Sequence, residues 1–148
     1  MKNNKGFSLV ELIIVIAIMA VLVGVLAPTY LQYVEKSKKS NDVSTVDSII
    51  NACEIGAIDP EVMTDTTAKL EFTINNTGMT VTAGSGSAWA KAVTDAVGTD
   101  IKLKSTNWGG DIVIVAERDT ATGKVKFTYG SGSSATFKTY ASQLTKIS

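Results

Sequence analysis

The chain has no histidine, a single cysteine (Cys53), two prolines (Pro28 and Pro60) and no net charge, its fourteen basic side chains matching fourteen acidic ones. Each scarcity removes a class of function. With no histidine and one thiol, neither a zinc site nor a cysteine–histidine nucleophile has the groups it needs. A lone cysteine excludes an intramolecular disulfide, so an extracellular domain built from this chain must hold by packing alone. No basic stripe is present to neutralise phosphates, which argues against a nucleic-acid partner. Gly84-Ser85-Gly86 lacks the spacing of a phosphate loop and the lysine that follows one. Asp111, Glu117 and Asp119 are spaced wrongly for a calcium loop. No catalytic, cofactor-binding or metal-binding constellation is therefore expected.

What the chain does have is one long apolar run. From Phe7 to Ala27 there are about 21 residues, of which only Glu11 is charged. At 1.5 Å per residue that length crosses a bilayer core as one helix. Before it stands a short polar leader, Met1 to Gly6, carrying Lys2 and Lys5. The run is longer than the apolar region of a secretory signal, and no Ala-x-Ala cleavage site follows it. A simple N-terminal anchor is the next reading, and Lys2 and Lys5 on the short side favour a cytoplasmic N-terminus. Lys36, Lys38 and Lys39 on the far side weaken that bias without reversing it.

Neither reading explains Glu11. A carboxylate inside a spanning helix costs a few kcal/mol, less near the end than at the centre. Glu11 lies about one turn from Phe7. Cutting the Gly6–Phe7 bond would create an α-amino group four residues before Glu11, on the same helix face. A carboxylate in the first turn also suits the helix dipole. In apolar surroundings amine and carboxylate would neutralise one another, within a chain or between neighbours. Removing Met1 to Gly6 takes Lys2 and Lys5 away, leaving twelve basic side chains against fourteen acidic.

The stretch Lys5-Gly6-Phe7-Ser8-Leu9-Val10-Glu11, running into Leu12-Ile13-Ile14-Val15-Ile16-Ala17-Ile18, resembles the N-terminus of type IV pilins and pseudopilins. The matched part covers about 30 of the 148 residues. The resemblance implies that a prepilin peptidase cuts after Gly6 and that Phe7 becomes the N-methylated first residue. It implies that Glu11 meets the Phe7 amine of a neighbouring subunit as a filament assembles. Pro28, Tyr30 and Tyr33 also stand where the family usually has proline and tyrosines. Many relatives carry a glycine two turns before the proline; here that position is Ala20, and the glycine is Gly24, four residues before Pro28. Proline removes one helical hydrogen bond and crowds the carbonyl four residues back, so Gly24 and Pro28 together predict a kink.

Beyond Pro28 the helical pattern resumes. Tyr30, Val34, Ser37, Val43, Val46, Ile50, Cys53 and Ala57 follow three- and four-residue steps, widened by Ile49. Glu35, Lys36, Lys38, Lys39, Asp42, Asp47 and Glu54 fall mostly on other faces, and the turn from Lys36 to Asn41 reads as solvated or intersubunit. Cys53 on the apolar stripe reads as a buried, inert thiol. Gly56 and Pro60 are stop signals. One helix of about 50 residues, roughly 75–80 Å long, follows. No domain of this size buries such a helix along its length, so its N-terminal half must be covered by lipid or by other subunits.

About 90 residues after Asp59 remain for a compact head. Ala68 to Ile74 alternates as a half-buried strand, Asn75 to Gly78 is a turn, and Met79 to Thr82 returns. Ala83 to Ser87 reads as a flexible loop. Trp89, Ala92, Val93, Ala96 and Val97 form a short helical stripe ending at Gly98, and both Trp89 and Trp108 read as core. Ile101 to Lys104 is a weak strand and Asp111 to Glu117 a strong one. Arg118 to Gly123 is a hairpin connection into Lys124 to Tyr129. Gly130 to Ser134 is a loop before Thr136 to Tyr140.

The fold expected is α+β: a long N-terminal helix, its hydrophobic half in membrane or filament core, packed on a C-terminal antiparallel β-sheet head. The segments are a leader (1–6), a membrane or filament-core half-helix (7–28), an amphipathic half-helix (29–58) and a globular head (59–148). The function implied by the resemblance is a structural subunit of a type IV pilus. Its partners would be other pilin subunits, a prepilin peptidase, an assembly platform with its ATPase, and the membrane before assembly. It would be a single-pass membrane protein first and part of an extracellular filament afterwards. A pseudopilin of a type II secretion or DNA-uptake machine shares the whole N-terminal argument. A membrane-anchored binding protein is the reading from another class.

Overall fold

The structure, a computed structural model, describes residues 6–142, 146 and 147, so the leader residues Met1 to Lys5 lie outside it. The elements are α1 (Leu9–Ala57), α2 (Pro60–Met63), β1 (Lys69–Ile74), β2 (Met79–Ala83), α3 (Ala88–Val97), β3 (Ile112–Arg118), β4 (Val125–Tyr129) and α4 (Ala135–Tyr140). The chain divides into two compact units between Ser37 and Lys38.

The first unit holds α1 as far as Ser37. Valine and isoleucine dominate it, residues whose stiff side chains favour strands in water. In an apolar medium a lone segment must satisfy its own backbone, and a helix does that residue by residue. All side chains from Gly6 to Tyr33 are exposed. Among the described residues this is the one helix long and apolar enough to cross a membrane.

The second unit is a head with its own core. Its sheet is antiparallel throughout, in the order β2-β1-β3-β4. Leu70, Phe72 and Ile74 of β1 are buried in strict alternation, as their spacing predicts. Phe72 faces Ile114 of β3 on one side and Val81 of β2 on the other. Ile112, Ile114 and Ala116 share one hydrophobic cluster with Val46, Ile49, Ile50, Cys53 and Ala57 of α1 and with Trp89 and Trp108. The part of α1 from Lys38 onward thus packs on the sheet, giving the α+β arrangement. Burial pushes the Cys53 thiol up to about 12, with the nearby Glu54 carboxylate adding to the effect.

Asp42 overturns its sequence reading. Instead of joining the polar faces of the helix it is fully buried. Its carboxylate accepts the Lys104 N–H at 2.7 Å, the Ser105 N–H at 3.0 Å and the Trp108 indole N–H at 2.8 Å. Lys39, one turn earlier, lays its ammonium 4.9 Å from the Trp108 ring centroid. The same contacts explain why Ile101 to Lys104 is not a strand. The N–H groups at 104 and 105 go to Asp42, and that of Leu103 goes to the Asn75 carbonyl at 2.9 Å, so no ladder forms.

Two further readings are corrected and one segment gains an assignment. Arg118 ends β3 instead of starting a hairpin loop, and it is buried. Its guanidinium donates to the carbonyls of Val62 (3.0 Å), Asp65 (2.7 Å) and Thr67 (3.1 Å) and stacks near Trp89, so carbonyls take the place of a counter-ion. Ala83 to Ser87 is a defined turn: Gly84 sits at φ +73°, and a Cβ there would fall 2.5 Å from Leu70 Cδ2. Ser87 then caps α3 by accepting the Ala90 N–H at 3.0 Å. Thr136 to Tyr140 is helical, because Ser134 caps α4 and points Phe137 into the core. Near the C-terminus Ile147 bridges Phe127, and Lys146 reaches Glu54 at 2.7 Å and Asn51 at 2.8 Å.

Candidate functional site

The residues singled out by the sequence lie at the start of α1 and within its apolar stretch. Gly6, Phe7 and Ser8 precede the helix and are exposed, Phe7 to 87%. The Gly6–Phe7 peptide bond is thus in irregular, accessible chain. Helix α1 starts at Leu9 with Ser8 as its N-cap position, and Glu11 falls at the third helical position. The Ser8 N–H donates to Glu11 Oε2 at 2.9 Å. This is the glutamate half of a capping box, in which a carboxylate reaches back to an orphan backbone donor. The Ser8-x-x-Glu11 spacing carries that signal in the sequence, and the reading from charge alone missed it.

The geometry brings the Glu11 carboxylate to the backbone immediately after Phe7. An ammonium created at Phe7 would stand one residue from the donor that Glu11 already accepts. Gly24 and Pro28 are placed differently. Helix α1 runs without interruption through both, and nothing approaches within 4 Å of where a Gly24 side chain would begin. The Thr29 hydroxyl lies 3.5 Å from the Val25 carbonyl, beside the carbonyl of Gly24 whose usual donor Pro28 lacks.

The described part of the head gathers no group of three or more metal-ligating side chains. Its perturbed carboxylates serve turns. The Thr67 N–H and side chain, then the Ala88 and Trp89 N–H groups, hold Asp65 below the usual carboxylate range. The Ala121 and Thr122 N–H groups do the same for Asp119 in the β3–β4 connection.

The chain is 32% identical over 108 residues to a fimbrial protein of Pseudomonas aeruginosa, covering 72% of this chain and 70% of the relative. It is 29% identical over 133 residues to the type IV major fimbrial protein FimA of Dichelobacter nodosus, covering 90% of this chain and 76% of the relative. The chain belongs to the type IV pilin family. Fimbrial protein Q of Moraxella bovis shares 35% identity over 88 residues, 57% of this pilin and 53% of the relative. The family model of the prokaryotic N-terminal methylation motif matches residues 1–27, which span Gly6, Phe7, Glu11 and Gly24. No solved structure matches the pilin significantly. The identity over 108 residues exceeds the apolar stretch and extends the kinship into the head, where no family signature is legible in the sequence.

Proposed function

We infer that this pilin is a structural subunit of a type IV pilus, made as a membrane-inserted prepilin and polymerised into a surface filament. The observation that carries the reading is the exposed apolar stretch of α1, headed by a carboxylate that already reaches the backbone next to Phe7. A helix of that kind needs lipid or other copies around it. Transfer between the two costs little hydrophobic energy, so charge pairing can set register and direction.

In this reading 1–6 is a leader with its lysines in the cytoplasm, 7–28 the membrane and filament-core half-helix, 29–58 the amphipathic half, and 59–148 the head. A prepilin peptidase cuts after Gly6, and Phe7 is N-methylated. The freed Phe7 ammonium of one subunit meets Glu11 of its neighbour. An assembly platform and its ATPase drive polymerisation. Chemistry is done to the chain, not by it. Gly24 and Pro28 provide the weak point at which α1 bends.

The test is the intact mass and N-terminal sequence of protein from membranes and from sheared surface filaments. The expected result is a chain starting at N-methyl-Phe7 in the sheared fraction. A chain starting at Met1, confined to membranes of a peptidase-competent host, would return the protein to the simple-anchor reading. For the bend, Pro28→Ala should straighten α1 and alter filament dimensions. Filaments of unchanged dimensions would remove Gly24 and Pro28 from the account.

A further inference from the structure

Two apolar surfaces remain without an occupant once the membrane-length stretch is set aside. The first is Tyr30, Leu31 and Tyr33, which are 68%, 65% and 71% exposed. They lie beyond the roughly 30 Å that Phe7 to Ala27 provides for a bilayer core. Tyrosines at a membrane surface suit the headgroup region, so the bilayer covers them before assembly. After extraction into a filament that cover is gone. The second surface is on the head. There α1 and α3 flank an open groove of about 460 Å³, lined by Ala52, Ile55, Gly56, Ala92, Ala96 and Val97. From Lys38 onward the exposed large apolar side chains among the described residues are Ile55, Ile58, Met63 and Tyr140, and Ile55, 70% exposed, lies on the groove itself. The helices approach so closely at Gly56 that a Cβ there would already touch Ala92 and Trp89 at 3.4 Å.

We propose that this α1–α3 groove receives the Tyr30–Tyr33 turn of a second copy of the same chain in the filament. The proposal rests on the subunit reading above. A contact between different patches of identical chains is heterologous, and such contacts build open helical filaments. Charge also matches. Asp59 lines the groove, whereas Lys36, exposed one turn past Tyr33, would approach it from the second copy. The occupant supplies two aromatic side chains, Tyr30 and Tyr33, three residues apart on one helix face, the kind of anchor that fills apolar pockets at interfaces.

The test places a photo-crosslinking benzoylphenylalanine at Ala96, an exposed groove residue, in the full chain expressed in a pilus-forming host. Irradiated sheared filaments should yield dimers whose linked peptide comes from residues 30–38 of the second copy. Links to any other segment, or none in intact filaments, would overturn the docking while leaving the subunit reading standing. Failure of the unsubstituted chain to form filaments or to begin at Phe7 would instead overturn the subunit reading, and the docking with it. A second variant guards against a bulky group that blocks assembly. Ile55→Lys should insert into the membrane and keep a protease-resistant head but lose filaments, whereas Ile55→Met should keep them. Undiminished filaments from Ile55→Lys would overturn the proposal.

Discussion

The two units of this pilin satisfy opposite solvents with one continuous helix. From Gly6 to Tyr33 every side chain is exposed, most of them apolar. From Lys38 onward α1 buries Val46, Ile49, Ile50 and Cys53 and even a carboxylate, Asp42. The only charge in the apolar stretch, Glu11, is exposed and satisfies one backbone donor. Asp42, in the head, is buried and satisfies three donors. A carboxylate kept open at a helix start is available to a new partner. One saturated inside a core is not. The difference sets a test: Asp42 should matter to head stability, and Glu11, under the proposed function, to assembly.

Removing each in turn separates those roles. Glu11→Ala has the largest expected effect on assembly: normal membrane insertion and an intact head, but filaments lost. Membrane and sheared fractions report both quantities, and abundant filaments from this variant alone would refute the charge-pairing role. Asp42→Ala should do the reverse. It strands an indole N–H and two backbone N–H groups in a buried site, where each lost partner costs about 1–3 kcal/mol. Thermal denaturation of the purified chain in detergent, followed by the fluorescence of the two core tryptophans Trp89 and Trp108, should show the head destabilised by about 3 kcal/mol or more, with insertion unchanged.

Glycine sharpens the same contrast at smaller magnitude. Gly84→Ala places a Cβ at φ +73°, 2.5 Å from Leu70 Cδ2 and 2.7 Å from the Lys69 carbonyl. Overpacking with backbone strain should cost about 1–3 kcal/mol in the head. Gly24→Ala meets nothing within 4 Å. It should leave head stability unchanged and stiffen the helix by about 1 kcal/mol of local propensity. Equal destabilisation by both substitutions would erase the distinction between a packed and an unpacked unit.

How much of this was legible follows from which interactions are local. Period-two alternation placed Leu70, Phe72 and Ile74, and the three- and four-residue stripe placed Val46, Ile49, Ile50 and Cys53, because each pattern is a property of one element facing one core. Gly6, Phe7 and Glu11 stood out in the sequence because they lie within one short motif, the stretch that the N-terminal methylation model matches. Asp42 was not, since its partners lie 62 to 66 residues away in the chain. Arg118 was hidden likewise: its acceptors are carbonyls more than fifty residues distant, and no side-chain pattern advertises a carbonyl. The helix at Ala135–Tyr140 was masked by β-favouring Thr136, Phe137, Thr139 and Tyr140, whose propensity yields to the Ser134 cap and to Phe137 packing 5.0 Å from Trp108.

The smallest effect expected is the response of the head to acid. Asp65 and Asp119 are both held below the usual carboxylate value of 3.8 by N–H donors of neighbouring turns. A depressed folded-state value means that the unfolded chain takes up protons first as pH falls. The stabilisation from these two groups is therefore complete above the unfolded value and is lost as pH drops through the lower folded values. Both are open to solvent, so the loss should be modest, and Asp65→Asn with Asp119→Asn should flatten the denaturation midpoint against pH below about 4. An unchanged curve of midpoint against pH in the doubly substituted chain would mean that the two turn carboxylates contribute nothing to the acid response of the head.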